Sequence, residues 1–153
     1  MPIDRTKLIF EINEAFKNVE LDSGIGLSEA NAIDDYSDEH FREKCRQNDE
    51  KHNWNSISSA ALNKYNCSLS YFDARGMTFH LPAFLIADIK GEYRFEMAFI
   101  LTNLSNYNRS RFTLLTEKQR AAVKLFLEYM LENPEYKFEK PDIKLAIENY
   151  WSK

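Results

Sequence analysis

The sequence predicts a mainly α (α+β) fold: one compact multi-helix domain over residues 1–153, with a single short β-hairpin near 69–80. Three observations favour this class. Apolar residues recur at helical spacing through much of the chain. Only 4 Gly and 4 Pro interrupt it. One four-residue turn separates two short runs of β-forming residues. A chain of this length is typical of one domain and buries a sizeable core without disulfides.

The N-terminal third predicts three helices. The first spans residues 4–19, where apolar side chains form one stripe and Asp4 is placed to cap the first turn. A second helix is expected to begin at Ser28, which is a good capping residue. A polar third helix is expected over 37–49, with Phe41 facing the core.

The central segment predicts a change of secondary structure. A short helix around 58–65 leads to two aromatic-rich runs on either side of Asp73–Gly76, a turn that ends in glycine, so a hairpin is expected. Pro82 suits the first position of a new helix. That helix should end near Gly91 and, being apolar on nearly every side, should lie at the centre of the core.

The C-terminal half contains the least ambiguous boundary in the sequence. Thr116 and Gln119 form a capping box that should start a helix. Residues 93–104 fit a helix or a strand, and 103–110 predict a polar loop. A last helix is expected over 142–151.

Four segments are distinctive: GIGLSEANAIDDY at 24–36, LSYFDARGMTFHLPAFLIAD at 69–88, LTEKQRAAVKLFLEYM at 115–130 and AIENYW at 146–151. Together they resemble an uncharacterised family of small bacterial proteins, a domain of unknown function. The resemblance covers most of the chain, and the central segment is its most specific part. It implies a bacterial origin and a single-domain architecture, and it implies no activity.

The composition limits the partners and the location. A net charge of −4 argues against a general affinity for nucleic acid or anionic lipid. No stretch approaches the roughly 20 apolar residues of a membrane span, and the apolar run near the N-terminus is too short for a signal peptide. The two cysteines fit a reducing compartment at least as well as a single disulfide. The expected location is the cytoplasm, and the sequence does not indicate an oligomeric state.

No motif indicates a cofactor or a metal. Gly24 and Gly26 lack the third glycine of a dinucleotide-binding loop and follow a predicted helix rather than a strand. The potential zinc ligands are His40, Cys45, His52 and Cys67, and their spacing matches no common zinc module. We therefore expect neither a cofactor nor a bound metal ion.

Asp73 and His80 are the candidates for an acid-base pair. They lie on either side of the expected hairpin, where a carboxylate could orient an imidazole for acid-base work. This would make the protein a small enzyme or a ligand-binding domain centred on the pair. The structural reading is that Asp73 opens the turn and His80 is a partly buried histidine satisfied by a neighbour.

An acidic run without Lys or Arg lies between residues 29 and 39 and surrounds Tyr36. Its acids are Glu29, Asp34, Asp35, Asp38 and Glu39. The run could be a solvated helix face with its following turn, or a metal site. It could also be a docking surface for a basic partner, because clustered acids speed encounter with cations and tyrosine is typical of binding hot spots.

A second surface candidate interleaves arginines with aromatic residues. Tyr107, Arg109, Arg111 and Phe112 alternate as in proteins that bind single-stranded nucleic acid, but one short loop on an acidic protein is weak support, and a plain surface loop is the simpler explanation. The sequence as a whole favours a non-catalytic protein-binding module. The specific hypothesis is an immunity protein that neutralises a basic toxin by electrostatic complementarity.

Overall fold

The computed structural model describes residues 2–134 and 140–153. Along this part of the chain the α-helices are α1 (Arg5–Ala15), α2 (Leu27–Asp34), α3 (Glu39–Asn48), α4 (Ser59–Lys64), α5 (Ala74–Ile89), α6 (Ala98–Thr102), α7 (Asn106–Arg111), α8 (Glu117–Glu132) and α9 (Lys140–Ala146). Shorter 3-10 helices cover Trp54–Ser56 and Asn66–Ser70, and a π-helical turn, Ile147–Trp151, follows α9 directly.

The expected β-hairpin near 69–80 is wrong, and the described residues contain no strand, although the mainly α class holds. The first expected strand is occupied by the end of a 3-10 helix, and α5 begins at Ala74, immediately after Asp73. The Asp73 carboxylate accepts the Gly76 N–H at 2.8 Å and caps the helix. An aspartate carboxylate accepts backbone N–H groups both at the start of a turn and at the start of a helix. Asp73 in the sequence therefore fits either structure, and here it starts a helix.

The helix expected to start at Pro82 therefore starts two turns earlier, and the proline lies inside it. A proline in a helix interior removes one backbone hydrogen bond and costs about 3 kcal/mol in host helices. Here every residue from Gly76 to Ala87 is buried, so packing on all sides offsets that cost. The expectation that this segment forms the centre of the core is confirmed.

Helices α1, α4 and α7 pack directly against α5. Helix α1 lies against both α5 and α8, while α9 and the π-helical turn pack on α6 and α8. Two indole groups fix the connections, because Trp54 Nε1 donates to the Phe16 carbonyl at 3.0 Å and Trp151 Nε1 to the Leu101 carbonyl at 2.9 Å. Both tryptophans are buried, so each satisfies its one polar atom inside the core.

Several predicted boundaries are confirmed. Asp4 caps α1 by accepting the N–H groups of Thr6 and Lys7, and Thr116 and Gln119 form the capping box of α8. The short helix expected around 58–65 is α4, and the ambiguous apolar segment 93–104 contains α6.

Three local expectations are wrong. Helix α2 begins one residue before Ser28 and has Gly26 at its cap position. Phe41 faces solvent, with 51% of its surface exposed, so it is not a core residue. The segment expected as a polar loop forms α7, which is capped by Ser105 through the Asn108 N–H at 3.2 Å. A serine followed by polar residues fits a helix start as well as a loop.

The central position of α5 predicts a large cost for a cavity there. Leu85 is fully buried, so Leu85→Ala should lower the free energy of unfolding by about 2–5 kcal/mol, measured by urea denaturation. Leu145→Ala removes the same atoms from an exposed position on α9 and should cost less than about 1 kcal/mol. Equal losses for the two variants would contradict the central position of α5.

Candidate functional site

The loop Gly24–Gly26 packs against the start of α5. The Asp73 carboxylate oxygen Oδ1 accepts the Ile25 N–H at 3.0 Å as well as the Gly76 N–H, so one side chain caps the helix and holds the loop. A Cβ on Gly76 would lie 2.6 Å from the Ile25 carbonyl oxygen, which only glycine avoids. Asp73 therefore has a defined structural role at this junction.

A second carboxylate stabilises the start of α2 from outside the helix. Asp49, just after α3, accepts Ser28 N at 3.0 Å, Ser28 Oγ at 2.6 Å and Glu29 N at 3.0 Å. These hydrogen bonds satisfy N–H groups that a helix start leaves unpaired. They also hold the beginning of α2 against the end of α3.

Glu29 belongs to the same junction rather than to an open acidic surface. Its Oε1 atom accepts the Gly26 N–H at 2.8 Å and lies 3.6 Å from Arg46 Nε. Partial burial raises the pKa of Glu29, and the Gly26 hydrogen bond and the Arg46 charge oppose that rise. Glu29 thus has a structural role at this junction.

His80 is enclosed within the core. Its Nδ1 atom lies 2.7 Å from the Gly76 carbonyl oxygen, to which it must donate, and its ring stacks on Phe72 with centroids 4.3 Å apart. Nε2 has no hydrogen-bond partner in residues 2–134 and 140–153. Burial lowers the pKa of His80 to about 4, so the imidazole is neutral at pH 7.

The structure does not bring Asp73 and His80 together as an acid-base pair. Both lie at α5, but Asp73 bonds to the backbone of its own first turn and of the Gly24–Gly26 loop, whereas His80 bonds to the Gly76 carbonyl. Asp73 is exposed and His80 is fully buried. A substrate at the carboxylate would not reach the imidazole in this arrangement.

The remaining acids of the acidic run surround the turn between α2 and α3. Asp34 ends α2, Asp38 caps α3 by accepting the Phe41 N–H at 2.8 Å, and the side chain of Asp35 faces solvent. Glu39 is exposed in the first turn of α3. None of Asp34, Asp35, Asp38 and Glu39 forms an ion pair within the described residues.

Tyr36, at the tip of this turn, has an unfavourable backbone conformation. Its φ is 56°, and 95% of its surface is exposed. Among the described residues, the other non-glycine positions with positive φ are Asn18 and Asp22, types that tolerate the left-handed region. A bulky tyrosine there is strained, and its ring packs against almost nothing that would compensate.

Tyr71 and Tyr107 lie beside this turn, and we call Tyr36, Tyr71 and Tyr107 the tyrosine surface. A hydrogen bond to the Asp34 carboxylate raises the pKa of Tyr71, and the nearby hydroxyls of Tyr36 and Tyr107 add smaller increases. The exposed fractions of Tyr71 and Tyr107 are 37% and 56%. The rings come from three distant parts of the chain, so no local sequence pattern could have grouped them.

Contacts with the 3-10 helix Asn66–Ser70 hold the tyrosines together. Ser68 Oγ donates to the Leu27 carbonyl at 2.7 Å and so fixes this helix to α2. On its other side, the Tyr107 hydroxyl donates to the Ser70 carbonyl at 2.7 Å. Tyr71, which directly follows the 3-10 helix, is therefore placed between α2 and α7.

Arg111 strengthens the same connection and is not part of an open basic face. It is only 3% exposed, donates to the Leu69 carbonyl and to Asn108 Oδ1, and lies 4.7 Å from the centre of the Tyr107 ring. Phe112 is also buried. The alternating arginine-aromatic surface suggested for residues 106–112 does not form, and Tyr107 and Arg109 remain exposed.

The histidines and cysteines considered as zinc ligands stay apart. Within the described residues, no group of three or more His, Cys, Asp or Glu side chains could hold a metal ion. His52 Nδ1 lies 2.7 Å from Glu20 Oε2, and Cys45 and Cys67 are both free. In the same part of the chain, every helix falls short of the length and apolar character needed to cross a bilayer.

The buried imidazole predicts a stability loss in mild acid. In the unfolded chain His80 takes up a proton near pH 6.5, but the folded protein resists protonation down to about pH 4. The unfolded state therefore binds more protons between these values, and stability should fall by about 3 kcal/mol as the pH drops from 6.5 to 4.

The test compares urea unfolding of the wild-type and His80→Gln proteins across that interval. The wild-type protein should lose stability more steeply than the variant, because other groups titrate equally in both. His40→Gln, which alters an exposed histidine on α3, is the control and should keep the steep wild-type profile. Parallel profiles for the wild-type and His80→Gln proteins would show that His80 is not the buried neutral group.

Comparison with known proteins identifies one matching family. The sequence model of a family described as a family of unknown function (DUF6714) matches residues 4–153. No curated protein and no solved structure matches the chain. The match includes the Gly24–Gly26 loop, α5 and the whole tyrosine surface, and it confirms the expectation of an uncharacterised domain family. The chain belongs to the family of unknown function DUF6714.

Proposed function

We propose that this chain is a non-catalytic protein-binding module that binds a basic protein through the tyrosine surface and the acids beside it. The observation that carries the proposal is the exposure of Tyr36, Tyr71 and Tyr107 on three segments that hydrogen bonds through the 3-10 helix Asn66–Ser70 hold together. Tyrosine is enriched among the residues that dominate binding energy, because its ring buries a large area at low entropic cost.

The strain at Tyr36 supports the same function. Its left-handed backbone and its nearly complete exposure lower folding stability and gain no packing in return. A ring with no role inside the fold is suited to a partner that would cover it. Such strained positions cluster at binding sites, where the conformation is set before the partner arrives.

The charges beside the rings indicate the kind of partner. Asp34, Asp35, Asp38 and Glu39 have no ion-pair partner among the described residues, and the chain as a whole has a net charge of −4. Unpaired acids attract a basic surface and speed its encounter. In its specific form, the proposal is a bacterial, cytoplasmic immunity protein that neutralises a basic toxin. The free cysteines fit that location.

The alternative is a small enzyme or ligand-binding domain centred on Asp73 and His80. The complete burial of His80 and the capping role of Asp73 weigh against it. A general base must reach the proton that it removes, and this imidazole would need a large opening of the core to do so.

Charge reversal tests the acids of the surface. Asp38 caps α3 and Asp34 bonds to Tyr71, so the suitable variant is Asp35→Lys with Glu39→Lys, both exposed. We expect the fold to be retained and the affinity for a basic partner isolated from the source cell to fall about tenfold or more. The association rate of the variant should depend less on salt.

The matched control is Glu92→Lys with Glu148→Lys, which makes the same change of net charge at exposed positions elsewhere. Binding should be measured by surface plasmon resonance at several ionic strengths. If both double variants weaken binding equally, net charge alone explains the effect. If neither weakens it, the partner does not bind at the acids beside the tyrosines, and the proposal fails.

Tyr36→Gly separates the effect of the Tyr36 backbone on stability from the effect of its ring on binding. Glycine adopts positive φ freely, so the variant should be more stable by up to about 1 kcal/mol in urea denaturation. Loss of the ring should weaken partner binding about tenfold. Asn18→Gly is the control at a similar φ of 65°, and it should change neither quantity much. Unchanged binding by Tyr36→Gly would exclude Tyr36 from the interface.

A further inference from the structure

We infer that the tyrosine surface is selective for arginine side chains of its partner over lysine side chains. This inference rests on the proposed function and adds the chemistry of recognition. Basic proteins present either a planar guanidinium or a compact ammonium, and the two groups bind differently to aromatic rings. The exposed rings, the carboxylates beside them and the contact of Arg111 with the Tyr107 ring all favour a guanidinium.

The exposed rings suit a planar cation. A guanidinium can lie flat on a phenol ring and still direct its N–H groups outward, whereas an ammonium is more strongly hydrated and cannot stack. Tyr36 offers nearly all of its ring, and Tyr71 and Tyr107 are partly exposed beside it. The surface thus offers several neighbouring rings, which give an arginine stacking area that a lysine would not use.

The chain itself already shows this contact. The Arg111 guanidinium lies 4.7 Å from the centre of the Tyr107 ring, and it forms no ion pair with a carboxylate in the described residues. Its other partners are the neutral oxygens of Leu69 and Asn108. A ring and carbonyl oxygens therefore suffice to hold one guanidinium at the edge of this surface.

The carboxylates complete the recognition. The Asp34 carboxylate lies near the Tyr71 hydroxyl, whose pKa it raises, so a carboxylate stands beside a ring on which a guanidinium would stack. Planar guanidinium and carboxylate groups form paired hydrogen bonds that a lysine cannot reproduce. Asp35, exposed on the same turn, supplies a further charge. The same acids would repel a phosphate backbone, so the ligand is a protein segment.

The test uses three synthetic peptides of equal length in which the basic positions are all arginine, all lysine or all citrulline. Citrulline keeps the planar shape of arginine and removes its charge. Binding to the full chain is measured by isothermal titration calorimetry. We expect the arginine peptide to bind roughly threefold to fivefold tighter than the lysine peptide, and the citrulline peptide to bind weakest.

Variants assign the preference to the rings. Tyr36→Leu and Tyr71→Leu, which keep an apolar side chain, should reduce the arginine-to-lysine ratio towards one. Asp35→Lys should weaken both peptides and leave the ratio unchanged. Phe99→Leu removes an exposed ring from α6 and should have no effect on either peptide.

The outcomes separate this inference from the proposed function. Equal affinity for the arginine and lysine peptides, or a preference that survives both tyrosine variants, overturns the inference and leaves a basic partner possible. Failure of the wild-type chain to bind the arginine peptide also overturns it. The proposed function is judged separately, by whether Asp35→Lys with Glu39→Lys weakens the natural partner more than the matched control.

Discussion

The Asp73 carboxylate is the contact on which the rest of the arrangement depends. One oxygen accepts hydrogen bonds from Gly76, in the first turn of α5, and from Ile25, in the loop that leads into α2. It thereby starts the most buried helix and fixes where the next layer of helices begins. The backbones approach so closely there that Gly76 leaves no room for a side chain. This junction therefore sets the position of α2 and of the turn with Tyr36 that follows it.

The exposed surface is built outward from that junction by polar contacts to backbone carbonyls. Ser68 connects the 3-10 helix before α5 to the start of α2, and Arg111 and Tyr107 connect α7 to the same 3-10 helix. Tyr107 and Arg111 bind the Ser70 and Leu69 carbonyls, which lie at the end of the 3-10 helix, where the helix leaves its carbonyl oxygens unpaired. Three separate segments are thus aligned so that their tyrosines meet, and the same short helix Asn66–Ser70 serves as the common support.

Local sequence patterns predicted the starts of α1 and α8 correctly. They failed where the same residue fits either a turn or a helix start. Asp4 and the Thr116–Gln119 pair were assigned correctly, because a cap before an apolar stripe indicates a helix start. Asp73 was assigned to a turn because turns and helix starts use the same acceptor. Of the candidate site, Tyr36 and its acids were found from the sequence. Tyr71 and Tyr107 were not grouped with them, because tertiary contacts alone bring these rings together.

Helix α3 has a consequence for how the family can vary. It has no buried residue, and none of residues 35–40 is buried either. Its attachment depends on few positions. Arg46 donates to the Asp22 and Gly24 carbonyls. The Asp49 carboxylate at the end of α3 fits into the space left by Gly26, where a Cβ would lie 2.3 Å from that carboxylate. Most substitutions in this segment therefore cost little folding free energy. Sequence change can accumulate there while the core stays intact, so the outer surface of this segment can vary without a change of fold.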